Sequence, residues 1–180
     1  MVLGLRGLQA LSGPALSGPA VHERLEHLAF LLGQWQGLGV VGYPTIQERQ
    51  YEQHVSFTHD GRPFLSYTSQ TWLLDADGGR ERPSGTETGY WRPGAEPRDV
   101  EVVLAHPTGI VEVYVGEVVF HRIELATDVV ARTGTAKHVT ALKRLYGLVD
   151  GDLAYAVDLA AVGQPLQAHI SAKLSRVDAD

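Results

Sequence analysis

The 180-residue sequence contains no cysteine, which sets the first limits on its chemistry. Without thiols the chain forms no disulfides, and it has no thiolate nucleophile and no ligands for an iron–sulfur cluster or a cysteine-based zinc site. A chain without disulfides is compatible with a reducing compartment, so we expect a cytoplasmic protein.

Long apolar runs and blocks of positive charge are also missing. No uninterrupted apolar stretch approaches the roughly 20 residues that a bilayer-spanning helix needs, so we expect no membrane insertion. The formal net charge is −6, and the 15 lysines and arginines are scattered along the chain. Because phosphate backbones are bound by clustered basic side chains, we expect no nucleic-acid partner.

The N-terminal segment differs in composition from the rest of the chain. Residues 10–20 read ALSGPALSGPA, a duplicated run of small residues, glycine and proline. Such a composition is typical of a flexible tail rather than of a packed element. We therefore predict a disordered tail at residues 1–20 and a single folded domain at residues 21–180.

The folded part is predicted to begin with a short helix and to continue as strands. Leu25, Leu28 and Leu32 form an apolar stripe, which predicts a helix over residues 21–32 that packs on a larger body. Ten segments of alternating or β-branched character follow at 34–42, 48–58, 63–75, 86–92, 98–106, 110–119, 121–127, 136–147, 153–161 and 166–175. The links between them are short and contain glycine, proline and aspartate, which is typical of antiparallel neighbours.

About ten antiparallel strands and a single helix predict an all-β, up-and-down β-barrel. Closure removes the exposed edges that an open sheet of this length would present. A barrel of this size also encloses room for a small ligand. A β-sandwich is the alternative that the strand pattern leaves open.

Glycine recurs at alternate positions directly after the predicted helix. In GQWQGLG, four residues share one face of a strand, and that face is bare except for one indole: Gly33, Trp35, Gly37 and Gly39. Glycine within a strand marks a sharp bend or the close approach of another backbone or a ligand. The structural interpretation is a barrel corner at which Trp35 closes one end.

The histidines offer few conventional sites. None of the eight falls in an HxH or HExxH spacing, so a zinc enzyme is weakly supported, and no GxSxG nucleophile motif is present. His106 shares an apolar face with Val102 and Leu104, directly before a turn. It either faces the lumen or is a strand-end histidine that hydrogen-bonds backbone carbonyls.

His169 is harder to place from its pattern. In PLQAHISAKL, simple pleating sets His169 on the polar face, opposite Ile170 and Ala172, which predicts a surface residue. It would face the interior only if the cavity is partly polar there or if a β-bulge re-aims the side chain.

Several motifs in the chain resemble those of the nitrobindin family of haem proteins, also called peroxynitrite isomerases. They are the GxWxGxG stretch followed by YPTI, RPFLSYTSQTW, ETGYWRP, LAHPTGIVEV, TAKHVTALKRLY and PLQAHISAKL. The resemblance runs from about residue 24 to 176 and preserves the order and separation of the motifs. It implies a ten-stranded barrel, lipocalin-like and similar to fatty-acid-binding proteins, that holds one ferric b-type haem per chain.

The resemblance also implies the residues of the haem site. His169, in the closing PLQ-x-H motif, matches the axial ligand of the iron. Thr45 of YPTI and Lys137 of TAK match further haem contacts, which suits the carboxylate propionates of the group. His106 and Leu159 are expected to line the same pocket. With Met1 as the only methionine and no cysteine, the usual axial residues left to this chain are histidine and tyrosine.

The function implied is isomerisation of peroxynitrite to nitrate, together with binding of nitric oxide. Two alternatives use the same barrel: a non-catalytic carrier of fatty acid or lipid, with Lys137 on its carboxylate, and a nitric oxide sensor. The retained imidazole of His169 argues against the carrier, because a lipid carrier does not need it. The sequence leaves a homodimer open.

Overall fold

The computed structural model describes residues 18–177. The predicted tail at residues 1–20 falls largely on residues 1–17, outside the described part of the chain. Within the described part, one short helix precedes ten antiparallel strands. The helix spans Glu23–Leu31, and the strands are β1 (Gly33–Tyr43), β2 (Ile46–Thr58), β3 (Leu65–Leu74), β4 (Arg80–Pro93), β5 (Asp99–His106), β6 (Ile110–Val119), β7 (Arg122–Arg132), β8 (Val139–Val149), β9 (Asp152–Ala161) and β10 (Gln167–Val177).

The strands close into one barrel. Each strand pairs with its neighbours in sequence, and β1 pairs with β10, so that the sheet has no free edge. This confirms the predicted up-and-down β-barrel and rules out the sandwich. All ten predicted strands are present, although β4 and β7 extend well beyond 86–92 and 121–127. Those extensions carry mostly exposed side chains, which give no alternation to detect.

The helix differs from the predicted one in its geometry. It is a 3-10 helix, and its buried residues are Leu25, Leu28 and Leu31 rather than Leu32. A 3-10 helix has three residues per turn, so every third side chain lies on one face. Among residues 18–177, no helix has the length and apolarity of a transmembrane helix.

The helix covers one end of the barrel. Arg24 donates a hydrogen bond to the carbonyl oxygen of Gly94 (2.8 Å), in the link between β4 and β5, and Phe30 packs on His121 between β6 and β7. Inside this end, aromatic side chains fill the lumen, with ring centroids 5.5 Å apart for Phe57 and Trp91. Room for a ligand is therefore left only toward the other end.

The alternating glycine motif shapes β1 at the covered end. Trp35 is buried and donates from Nε1 to the carbonyl oxygen of Leu31 (2.8 Å), as expected for a side chain that closes the barrel. A methyl group at Gly37 would lie 2.1 Å from the carbonyl oxygen of Lys173 on β10. At Gly39 it would lie 2.3 Å from the ring of Tyr51. Close packing of backbone and ring thus accounts for these glycines.

Candidate functional site

A cavity of about 570 Å³ occupies the end of the lumen opposite the helix. Its walls come from β4, β5, β6, β8, β9 and β10, with Tyr43 and Ile46 at the ends of β1 and β2, and its rim comes from the turns that follow β1, β5, β7 and β9. The residues that line it include Tyr43, Thr45, Glu87, His106, Glu112, Lys137, Arg144, Leu159 and His169. A volume of this size lies within the range of about 300–1,000 Å³ that is typical of small-molecule and cofactor sites.

The pairing of β7 with β8 is incomplete beside this cavity. β7 pairs with β6 along its whole length but with β8 only over Arg122–Ala126. Beyond that point Thr127 contacts β8 through its side chain, whose Oγ1 accepts from the backbone N–H of Leu142 (3.0 Å). The backbone ladder between the two strands therefore ends before the rim, where Lys137 lies.

His169 reaches this cavity through a β-bulge. The register between β10 and β9 shifts between Ala168 and Ile170, so that His169 is the additional residue of the bulge. Its side chain is half-buried and lines the cavity together with that of Ile170. The surface position predicted by simple pleating is therefore wrong, because an extra residue reverses the alternation at that point.

The His169 imidazole is held in one tautomer. Nδ1 lies 2.8 Å from the carbonyl oxygen of Gly42, an acceptor only, so Nδ1 carries the proton and donates. The described residues offer no hydrogen bond to Nε2, whose lone pair remains available. Burial lowers the pKa of His169, despite the opposing effect of the Gly42 hydrogen bond, and keeps the ring neutral at pH 7. A neutral, oriented imidazole is the form that binds metal ions.

Tyr43 fixes the backbone that orients His169. Its hydroxyl accepts from the backbone N–H of Ala161 (2.9 Å) and lies 3.1 Å from the carbonyl oxygen of Leu159, to which it donates. Its ring meets the His169 ring edge-on, with centroids 5.4 Å apart. The turn between β1 and β2 is thereby tied to the end of β9, and Gly42 is held against Nδ1.

The structure brings the other predicted pocket residues to the same cavity. Thr45 lies in the turn between β1 and β2 and Lys137 in the loop before β8, both exposed at the rim. Leu159 is half-buried in the wall. His106 faces inward, and its Nε2 lies 3.2 Å from Oε1 of Glu112 instead of binding a backbone carbonyl. None of the four motif residues Gly33, Trp35, Gly37 and Gly39 lines this cavity.

A buried ionic cluster, consisting of Glu87, Glu112 and Arg144, forms one wall of the cavity and was not predicted. Arg144 donates to Oε1 of Glu87 (2.7 Å) and to Oε2 of Glu112 (3.1 Å). Burial raises the pKa of both carboxyl groups, but the neighbouring cationic groups outweigh it. Arg144 and, to a smaller extent, His106 lower the pKa of Glu87, and His106 and Arg144 lower the pKa of Glu112 to about 2. The sequence does contain the signal: Glu112 and Arg144 stand in phase with the buried Tyr114 and Tyr146.

The donor set suits a porphyrin iron better than a free metal ion. Within residues 18–177 there is no cluster of three or more His, Cys, Asp or Glu side chains that could hold a bare ion. A single imidazole suffices for a haem, because the macrocycle supplies the four equatorial nitrogens. A larger and more open depression of about 900 Å³ lies elsewhere, around Phe120 and Leu145, and contains none of the predicted site residues.

Comparison with known proteins also identifies a haem-binding β-barrel. The family model described as "THAP4-like, heme-binding beta-barrel domain" matches residues 24–176. A ferric nitrobindin-like protein of Kineococcus radiotolerans is 50% identical over 164 residues, covering 83% of this chain and 91% of its own. A peroxynitrite isomerase of Frankia casuarinae is 51% identical over 175 residues and covers 93% of both chains.

A solved structure shares both the fold and the sequence. The crystal structure of Rv2717c from M. tuberculosis superimposes with a TM-score of 0.79 at 44% sequence identity, covering 88% of this chain and all of the other (100%). The region that the family model matches, residues 24–176, includes His169 and all of the ten strands except the last residue of β10. The chain belongs to the THAP4-like, haem-binding β-barrel domain family, as its sequence motifs predicted.

Proposed function

We propose that this barrel binds one ferric haem b through His169 and isomerises peroxynitrite to nitrate. The observation that carries the proposal is the orientation of His169. Its Nδ1 is committed to the carbonyl oxygen of Gly42, and its Nε2 is left for a metal in a cavity of about 570 Å³. Relatives about half identical in sequence, named ferric nitrobindin-like protein and peroxynitrite isomerase, support the same conclusion.

The rim residues fit the acidic edge of a haem. The Lys137 ammonium and the Thr45 hydroxyl lie at the mouth of the cavity, where both remain exposed to solvent. Haem propionates are carboxylates, and a charge-assisted hydrogen bond from an ammonium group favours them. Lys137 and Thr45 would therefore hold the propionates at the mouth while the apolar part of the ring lies deeper.

The protein's contribution to the reaction is orientation and confinement. When bound, ferric haem supplies a Lewis-acidic iron at which peroxynitrite rearranges. Leu142, Val157 and Leu159 line the cavity with apolar surface that keeps water away from the reacting ligand. The proposal extends to reversible binding of nitric oxide at the same iron, to a homodimer and to a cytoplasmic location.

The lipid carrier is less well supported by this cavity. A fatty-acid carboxylate in the interior would need a cation, and among residues 18–177 Arg144 is the only buried arginine or lysine that lines the cavity. Arg144 already forms ion pairs with Glu87 and Glu112, so it has no charge left to neutralise a third carboxylate. Lys137 could bind a fatty-acid carboxylate at the rim, but it is equally suited to a haem propionate.

Titration of the haem-free protein with ferric haem tests this proposal. We expect a Soret band that saturates at one haem per chain and is not displaced by an equal concentration of a long-chain fatty acid. The loaded protein should then raise the nitrate yield from peroxynitrite above that of buffer and of the haem-free protein. A chain that takes up the fatty acid but forms no saturating Soret complex would instead be a carrier.

Tyr43→Phe should weaken the site without removing the axial ligand. Loss of the hydroxyl leaves the Ala161 N–H and two backbone carbonyl oxygens without their partner, which should lower the free energy of unfolding by about 1–2 kcal/mol. The loosened turn should also speed haem dissociation, as measured by transfer to excess apomyoglobin. Tyr90→Phe is the control, because that half-exposed side chain has no hydrogen bond within residues 18–177. Equal dissociation rates in the two variants would contradict a positioning role for Tyr43.

A further inference from the structure

The ionic cluster that lines the cavity carries one net negative charge, which a protonated His106 beside Glu112 can balance. Glu87 and Glu112 contribute two negative charges and Arg144 one positive charge. The side chains of Glu112 and Arg144 are 4% and 3% accessible, and that of Glu87, which lines the cavity, is 17% accessible. An uncompensated charge is costly in such a position. A protonated His106 would make the four groups neutral.

The hydrogen bonds of the cluster leave one carboxylate oxygen for His106. Both oxygens of Glu87 accept from Arg144, at 2.7 and 3.0 Å, and Oε2 also accepts from Tyr67. Oε2 of Glu112 accepts from Arg144 and from Tyr114 (2.7 Å). Oε1 of Glu112 has no such donor among the described residues, and it is the atom 3.2 Å from His106 Nε2.

The two histidines of the cavity face each other across the barrel. β5, which carries His106, is five strands away from β10, which carries His169, in either direction around the closed sheet. Both side chains line the same cavity. A ligand bound on the cavity side of a group held by His169 would therefore meet His106 on the opposite wall.

One ring nitrogen of His106 lies against Glu112, and the other lies on the side of the cavity. Nε2 is fully buried against Glu112, whereas Nδ1 is not among the fully buried atoms and makes no hydrogen bond within residues 18–177. About a sixth of the side chain, 16%, is accessible, and the accessible part faces the cavity. Nδ1–H is thus free to donate to a ligand, whereas Nε2 has an ion-pair contact with Oε1 of Glu112 at 3.2 Å that does not meet hydrogen-bond geometry.

We propose that His106, kept protonated by Glu112 and Glu87, is the anion-binding residue of the cavity. The proposal rests on the proposed haem site and adds the group that recognises its ligand. The ligand class is a small anion, an oxyanion or a halide, held by Nδ1–H of an imidazolium. His106 remains a hydrogen-bond donor and does not ligate the iron, because a protonated imidazole has no lone pair to offer a metal.

The surrounding charges favour the protonated form of the His106 imidazole. Burial lowers the pKa of His106, but Glu112 and Glu87 outweigh both burial and the nearby Arg144, and the pKa is raised overall. Glu87 lies on β4, Glu112 on β6 and Arg144 on β8. The other charged or titratable groups that line the cavity are Tyr43 and Lys137 at the rim and His169 across the lumen. Anion affinity should therefore fall as the pH rises through the pKa of His106.

Proton NMR of the haem-free protein tests the charge state without any cofactor. The His106 imidazole, assigned by its absence in His106→Gln, should titrate with a midpoint above the ordinary value of about 6.5. In Glu112→Gln the midpoint should fall below that of the wild type. A midpoint at or below the ordinary value, or one that Glu112→Gln does not lower, would overturn the proposal.

Fluoride binding to the ferric haem-loaded protein tests the ligand contact. Fluoride affinity should fall with rising pH in the wild type, and His106→Leu should weaken it about tenfold or more and remove the pH dependence. His106→Gln, which keeps a neutral donor, should be intermediate. His54→Leu is the matched control, because His54 makes a similar 2.9 Å contact with Glu52 on the outer face.

The outcomes separate the two proposals. If every variant retains its Soret band and stoichiometry but fluoride affinity does not change, the role of His106 is wrong and the haem site stands. If the wild type forms no haem complex, the proposed function fails, while the NMR titration still decides whether Glu112 holds His106 protonated. Should His106→Leu fail to fold, Glu112→Gln and His106→Gln provide the same comparison.

Discussion

Replacing His169 with alanine is expected to abolish stable haem loading. Mutation of residues that only support a metal ligand typically costs about 10- to 100-fold in metal affinity, so loss of the ligand itself should weaken haem binding by at least about a hundredfold. The Soret band should be lost on gel filtration, and the nitrate yield should fall to that of buffer. Because His169 is only half-buried in a bulge, urea unfolding of the haem-free variant should remain close to that of the wild type.

Two further variants make this result specific. In His169→Gly, the space left by the side chain should accept free imidazole, which should restore a Soret band in proportion to its concentration. His138→Ala removes an exposed histidine next to the rim and should load haem like the wild type. A normal Soret band in His169→Ala, or one lost equally in His138→Ala, would show that another group binds the iron.

The fold was predictable because a barrel repeats one simple signal. Strands with one face on the core alternate in hydrophobicity, as in Val100, Val102 and Leu104, and short turns identify their neighbours. Strand ends were predicted less well, since Arg80–Pro83 of β4 is exposed and therefore carries no alternation. The 3-10 geometry of the helix was also missed, because leucines at spacings of three and four fit both kinds of helix.

The site was less predictable from pattern because its features depend on contacts between distant segments. A bulge at His169 reverses the alternation, and the sequence of β10 alone does not indicate it. The family resemblance predicted His169 as the axial ligand, whereas strand alternation predicted that its side chain lies on the outer surface of the barrel. The hydrogen bond from His169 to Gly42 joins residues 127 positions apart, so only the closed barrel reveals it.

The ionic cluster, in contrast, has a signal in the sequence from which an internal ion pair could have been predicted. Glu112 and Arg144 each occupy an inward position between apolar or aromatic neighbours. Buried charges of opposite sign on different strands are stable only if the fold brings them together. Charged residues in phase with the core therefore predict an internal ion pair, although the sequence does not say which residues are the partners.

Arg144→Met should destabilise the protein strongly. The side chain is 3% exposed, and its removal would leave the buried Glu112 and the largely buried Glu87 with His106 as their counter-charge. Breaking a buried ion pair from one side costs about 3–5 kcal/mol, and we expect a loss of that size in the free energy of unfolding at pH 7. Urea denaturation followed by circular dichroism measures it.

The pH dependence of this loss identifies its electrostatic origin. In the wild type the pKa of Glu112 is lowered to about 2, so its contribution is complete above the unfolded value of 4.5 and is lost as the pH falls toward 2. Without Arg144 the buried carboxyl groups should have raised pKa values, and their protonation should then relieve the penalty. The difference between Arg144→Met and wild type should therefore shrink as the pH falls from about 7 to about 5.

Matched variants separate this charge effect from lost packing. Arg122→Met removes an exposed arginine that pairs with Glu124 at 2.7 Å, and it should change the free energy of unfolding by no more than about 0.5 kcal/mol. Adding Glu87→Gln to Arg144→Met removes one of the two unbalanced charges and should recover part of the loss. If the double variant is no more stable than Arg144→Met at pH 7, and the difference from wild type does not change with pH, the penalty arises from packing. The cluster would then be no source of charge for His106.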